Sequence, residues 1–304
     1  MPDETAGPQG PPPTPSVERT MPDETVTPPR TPLVPSGSIV IAVGGDPSTL
    51  DPQYADDRNE RAANDNVYEA LLFADAETGE IVPGLAQAWK QTDDTTWRFT
   101  LREDVQFHNG EPFNAGAVVY SVERIIDPDF NSEQISFVET VTGARAVGEY
   151  VVDVLTTSPD PTLPARMTWM KIVPPMYAEE NPDEFGESPV GTGPYRFVEW
   201  VRGHHVTLEA NKGYWGGAPS IAEVWIRFMP EEAYRVASLI AGEADLITVL
   251  TPEGLATVED SVYTDMAACI SPPNLDEIYC LSRRLQWTPR LDGRIVVKDM
   301  ILVE

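Results

Sequence analysis

The sequence predicts an α/β protein with mixed sheets, and three observations carry that reading. Short β-branched runs alternate with stretches at helical spacing. Hairpin-type connections sit beside strand-to-helix steps, and 41% of the 304 residues are hydrophobic, enough for a sizeable core. Ser38 to Val43 is a β-branched strand that runs into the loop Gly44-Gly45-Asp46-Pro47. From Asn64 to Leu72, Val67, Leu71 and Leu72 share one face, which predicts an amphipathic helix. Thr96 to Arg102 alternates, with Trp97, Phe99 and Leu101 on one side, as a half-buried strand does.

Phe107-His108-Asn109-Gly110 is a tight turn, and Asn114 stands where an N-cap would open a helix over Ala115–Ile126. Tyr150–Thr156 and the short apolar Trp169–Val173 read as strands, followed by loops with at most a helical turn between Pro174 and Gly193. Tyr195–Trp200 and His205–Ala210 form two strands joined around Arg202-Gly203-His204. A strand over Ile221–Phe228, a helix over Glu231–Ala241 and a strand-like Asp245–Leu250 complete the series.

Both ends depart from this pattern. Residues 1–37 hold eleven prolines and the pentapeptide MPDET twice, at Met1–Thr5 and Met21–Thr25. Such a segment buries too little to offset its ordering entropy, so it is expected to be a disordered, semi-extended tether. Residues 281–304 carry five Lys and Arg against three acids, whereas the whole chain carries 21 against 49. This reversal, with Cys269 and Cys280 at or just before it, suggests a change of sequence origin from about residue 258, as a frameshift would produce.

Charge and cysteine content exclude several functions. A net charge of −28 repels phosphate backbones and anionic lipid, so no nucleic-acid or membrane-surface binding is expected. No apolar run is long enough to span a bilayer. The opening MPDETAGPQG has neither the basic residues nor the apolar stretch of a secretory signal. Two cysteines without a Cys/His cluster exclude a structural zinc module, and compartment is not legible from them.

Enzymatic chemistry finds little support. No GxSxG elbow, complete phosphate loop or distinguished carboxylate pair is present, so no catalytic residue is assigned and no cofactor is expected. A hydrolase on this scaffold would have only its histidines and scattered carboxylates to work with. His108 lies in a turn, where local hydrogen bonding is its simplest role. His204 and His205 invite a metal reading, but neighbours on a strand point to opposite faces; a hairpin turn relaxes that rule. The expectation is no metal.

Several motifs, in one order, resemble the family 5 extracellular solute-binding proteins of ABC importers, whose members bind dipeptides, oligopeptides or nickel. They are Asp46–Pro52 after the first strand, Val67–Leu71, the segment from Ala88 to Gly110 (AWKQTDDTTWRFTLREDVQFHNG) with Glu111–Ala115, Pro189–Tyr195, Asn211–Trp215 and Ala241–Leu246. Together they cover about residues 38–257. The resemblance implies a periplasmic-binding-protein type II fold of the cluster C kind, of which this chain holds the first lobe with its mixed sheets. The second lobe is expected to be missing, so the chain looks truncated and should bind solute weakly or not at all.

The resemblance further implies a lobe I first segment at 38–80, an inserted subdomain at 81–188, a return segment at 189–257 and an unmatched tail at 258–304. Partners would be a peptide or other small-molecule ligand and the permease subunits of an ABC transporter. The protein would be a monomer in the bacterial cell envelope, periplasmic or on the outer face of the cytoplasmic membrane, held by a lipid anchor absent from this chain. Ligand contacts expected from position relative to the cleft are Tyr54, Asn66, Gly191, Thr192 and Gly193. A remnant with interactions but no transport role is the alternative.

Overall fold

A computed structural model describes residues 34–55, 57–261, 267–270 and 278–303; the proline-rich leader up to residue 33 lies outside them. The strands in chain order are β1 (Ser36–Val43), β2 (Leu72–Ala74), β3 (Ile81–Pro83), β4 (Ala86–Asp93), β5 (Thr96–Leu101), β6 (Val141–Gly148), β7 (Val151–Thr156) and β8 (Tyr195–Val201). They continue with β9 (His205–Ala210), β10 (Ile221–Phe228), β11 (Leu246–Ile247), β12 (Ala267–Ile270), β13 (Tyr279–Ser282), β14 (Leu285–Gln286) and β15 (Ile301–Leu302). The α-helices are α1 (Arg58–Val67), α2 (Ala115–Ile126), α3 (Leu163–Arg166), α4 (Pro175–Glu180), α5 (Glu232–Ile240) and α6 (Pro252–Ser261).

The principal sheet has seven strands in the order β12-β13-β11-β1-β10-β9-β8. β1 runs parallel to both its neighbours, β10 and β11, while the outer pairings are antiparallel. Alternation along β1 explains its place: Ile39, Ile41 and Val43 face a core shared with Ala62, Ala63 and Val67 of α1. Val40 and Ala42 face the opposite core, filled by Val236 and Leu239 of α5, Val258 of α6, and Ile247. Burial on both faces is what a continuous aliphatic run predicts for a central strand with parallel partners.

A four-stranded antiparallel sheet, β4-β5-β7-β6, forms a second layer. Phe99, Leu101, Val152 and Val154 pack there against Ala117, Val118, Val122 and Ile125 of α2, and every buried residue of this core lies between Leu71 and Ile172. α2 begins where Asn114 caps it, its side chain accepting from the amides of Gly116 and Ala117.

Three local readings are corrected. The first helix spans Arg58–Val67, not 64–72, because Asp57 and Glu60 build a capping box upstream and the chain turns extended at Tyr68. The strand expected at 169–173 is a single bridge, Ala70 to Lys171, and that expected at 245–250 shortens to Leu246–Ile247. The charge reversal near residue 281 marks no structural boundary. β13 pairs with β11 inside the principal sheet, and Leu285, Trp287, Ile295, Val297 and Met300 are buried in the same core as β1. Positive charge in this segment is absorbed locally: Arg294 lies 4.2 Å over the Trp169 ring, and Arg290 pairs with Asp292 at 2.9 Å.

Candidate functional site

The carboxyl ends of β1, β10 and β11 leave the sheet at one edge, and β1 sends its two parallel neighbours to opposite sides. In open α/β sheets that switch point is where a crevice for ligand forms. The loops there are 44–55, 229–231 and 248–251. The Arg235 guanidinium, buried on α5, ties two of them together. It donates to the carbonyls of Met229 (2.6 Å), Pro230 (2.9 Å), Thr248 (3.1 Å) and Val249 (2.8 Å). Burial pulls its pKa below the ordinary arginine value, against the pull of Glu232 and Glu231. Val249 carries φ +56° and is exposed, a left-handed conformation that a β-branched residue adopts only when its surroundings impose it. A cavity of about 480 Å³ lies alongside, lined by Phe228, Met229, Pro230, Tyr234 and Ser238.

The loop after β1 is fixed from several directions. Asp51 receives the Arg124 guanidinium of α2 in a two-pronged pair at 2.5 and 3.1 Å. Gln53 donates to the carbonyls of Ser121 (2.9 Å) and Lys171 (3.1 Å). Gln134 donates to Pro52 O, Ser132 to Gln53 O at 2.5 Å, and the Glu133 amide to Tyr54 O at 3.0 Å. Tyr54, by contrast, is 43% exposed, with its ring edge-on to Phe130 at 6.0 Å. The Tyr54 ring is thus an exposed amphipathic group on a loop held by hydrogen bonds on both sides of it.

The other residues expected to touch ligand are packed into the interior. Asn66 is fully buried; its amide donates to Ile295 O (2.8 Å) and Ala62 O (3.0 Å), and its oxygen accepts from the Val297 amide (2.8 Å). Gly191 and Gly193 lie against the backbone carbonyls of Asn66 and Val67, where a Cβ would collide. Thr192, also buried, donates to Glu69 at 2.8 Å. Glu69 further accepts from Tyr214 (2.7 Å) and the Trp215 indole (2.9 Å), while burial raises its carboxyl above the ordinary range.

His108 staples the turn at 107–110 to this segment. Its Nδ1 accepts from the Gly191 amide at 3.4 Å, so Nε2 carries the proton and donates to Gly193 O at 2.9 Å. Burial depresses its pKa to about 4. With both ring nitrogens engaged, His108 has no free nitrogen for general base chemistry. It borders a second cavity of about 360 Å³ with Phe107, Tyr150, Arg196 and Trp215.

Arg235, Arg124 and Glu69 are polar ties between these segments that sequence reasoning passed over. Arg235 had one legible signal, a lone basic residue in a largely apolar helix.

Residues 80–280 match the bacterial extracellular solute-binding proteins, family 5 (middle region), and the chain belongs to that family. Protein XP55 of Streptomyces lividans is 35% identical over 230 residues, which are 73% of this chain and 41% of that protein. Among solved structures, the periplasmic binding protein MoaA of A. tumefaciens R10 in complex with mannopinic acid superposes with a TM-score of 0.72 at 27% identity, over 77% of this chain and 49% of that one. The Helicobacter pylori protein DppA in complex with the peptide STSA gives 0.70 at 26% identity, over 77% and 50%. The chain thus spans about half the length of these relatives. Its mixed α/β architecture is that of the periplasmic binding proteins.

Proposed function

We propose that this chain supplies one wall of a solute-capturing cleft in the binding component of an ABC importer, which passes peptides or similar small solutes to membrane permease subunits. The observation that carries this reading is Tyr54, exposed on a loop that Arg124, Gln134 and Ser132 otherwise immobilise, at the carboxyl edge of β1. Of the five expected contacts, Tyr54 meets the solute, while Asn66, Gly191, Thr192 and Gly193 hold the wall behind it. Segments 38–80 and 189–257 form the sheet-bearing part and 81–188 is inserted between them, with β13 extending the sheet. The protein works without turnover, as a monomer.

Cys269 and Cys280 are joined in a cross-strand disulfide between β12 and β13, a bond that persists in oxidising compartments. That supports residence in the cell envelope, and a lipid tether would keep the protein beside its permease. The test is amide NMR of the chain with di- to pentapeptides as probes. Weak shifts that approach saturation only at high peptide are expected along 44–54, 229–231 and 248–251, without peptide cleavage, and Tyr54→Ala should abolish them. Shifts centred on the cavity beside His108, or cleavage of the peptide, would overturn the reading.

A further inference from the structure

The β8–β9 hairpin carries chemistry that solute capture does not use. His204 is the last turn residue and His205 the first of β9, so strand alternation does not force their side chains apart. The two imidazoles converge: their Nδ1 atoms lie 2.5 Å apart, with ring centroids 4.7 Å apart. Backbone hydrogen bonds fix the turn, from the His204 amide to Val201 O at 2.9 Å and from the Phe228 amide to His204 O at 3.0 Å.

His205 is held on its far side as well. Its side chain is 8% exposed, with the ring 4.8 Å from that of Trp225 and Nε2 at 3.2 Å from the Glu199 carboxylate. With the Nε2 proton directed at Glu199, the lone pair at Nδ1 faces His204. A carboxylate behind one nitrogen and a lone pair turned towards a second imidazole at the other is how a metal-binding histidine is oriented. Among the described residues no group of three His, Cys, Asp or Glu converges, so the protein offers these two nitrogens and water must complete any coordination shell.

We propose that His204 and His205 form a surface site for a divalent transition-metal ion, held by the two Nδ1 atoms with Glu199 orienting His205. Imidazole pairs suit copper, nickel and zinc, and copper(II) should bind most tightly. Nitrogens at about 2.0–2.1 Å from one ion stand roughly 3 Å apart, so the rings must open by about half an ångström. His204, at the exposed tip, supplies that movement.

The test uses the untagged chain, stripped of metal and titrated with copper(II) or nickel(II), with heat and tryptophan fluorescence as readouts. One equivalent is expected at micromolar metal, with quenching from Trp225 against the His205 ring. His204→Ala, at an exposed position, should cut affinity more than tenfold without altering thermal stability in the absence of metal. Glu199→Gln should cut it about tenfold or more, an effect that a casual surface histidine would not show. Absence of stoichiometric binding, or unchanged affinity in His204→Ala, would overturn the proposal, and an unchanged Glu199→Gln would remove the orienting role.

Discussion

Replacing Asn66 by alanine tests whether this side chain meets ligand or holds the fold together. The substitution strips partners from two buried backbone groups, the Ile295 carbonyl and the Val297 amide, while Ala62 O keeps its bond within α1. A buried polar group left without a partner costs about 1–3 kcal/mol, so two cost about 2–6 kcal/mol, much of the ~5–15 kcal/mol that holds a typical domain together. Urea unfolding followed by tryptophan fluorescence would measure the loss, with Trp287, stacked edge-on to Tyr279 at 5.5 Å, reporting from the same core. Hydrogen exchange at the Val297 amide should accelerate in step. Tyr54→Ala is the matched control: its ring is exposed, and stability should move by no more than about 0.5 kcal/mol. An Asn66→Ala protein as stable as the parent, with the Val297 amide still protected, would refute the assignment of Asn66 to the scaffold.

Arg235→Met removes four bonds to the carbonyls of Met229, Pro230, Thr248 and Val249; it should cost about 2–4 kcal/mol and open Thr248–Thr251 to limited proteolysis, measured as cleavage rate at native temperature. His108, with its pKa depressed from 6.5 to about 4, favours the folded state fully above pH 6.5, and that contribution drains away as pH falls towards 4. It amounts to on the order of 3 kcal/mol, so urea midpoints of the parent should fall across this window, and His108→Gln should fall less steeply. The Cys269–Cys280 bridge spans a sequence separation of 11 residues, and replacing both cysteines by alanine should lower stability by up to about 3 kcal/mol, read as a lower melting temperature that reductant no longer affects.

Where burial and alternation coincide, the elements could be read directly from the residues. β1, β5, β7 and β10 are aliphatic or alternating, and α2 has both a cap and an apolar stripe, so each falls close to its expected place. β4 and β6 are largely exposed edge strands with polar, small residues, and no period marks them; they exist because β5 and β7 offer partners. The tail was set apart by its charge, yet charge is a surface property, and its apolar residues Trp287, Ile295 and Val297 decide where it packs. The site divides in the same way. The exposure of Tyr54 was legible from its place in a loop after a strand, whereas the burial of Asn66 and the glycines depends on partners at Ile295 and Val67 that no local pattern reveals.

The order of strands in the principal sheet also dictates an order of events as the chain is made. β1 emerges first, but both of its neighbours lie far downstream, at Ile221–Phe228 and Leu246–Ile247, and β13 follows later still. The core between Leu71 and Ile172 depends on no such wait, since every fully buried residue in it is present once Ile172 has appeared. That unit can close early, while β1 remains an unpaired aliphatic strand in front of it. A chain built this way has a long interval in which a sticky strand has no mate, and delaying or shielding β1 through that interval becomes a condition for reaching the native sheet.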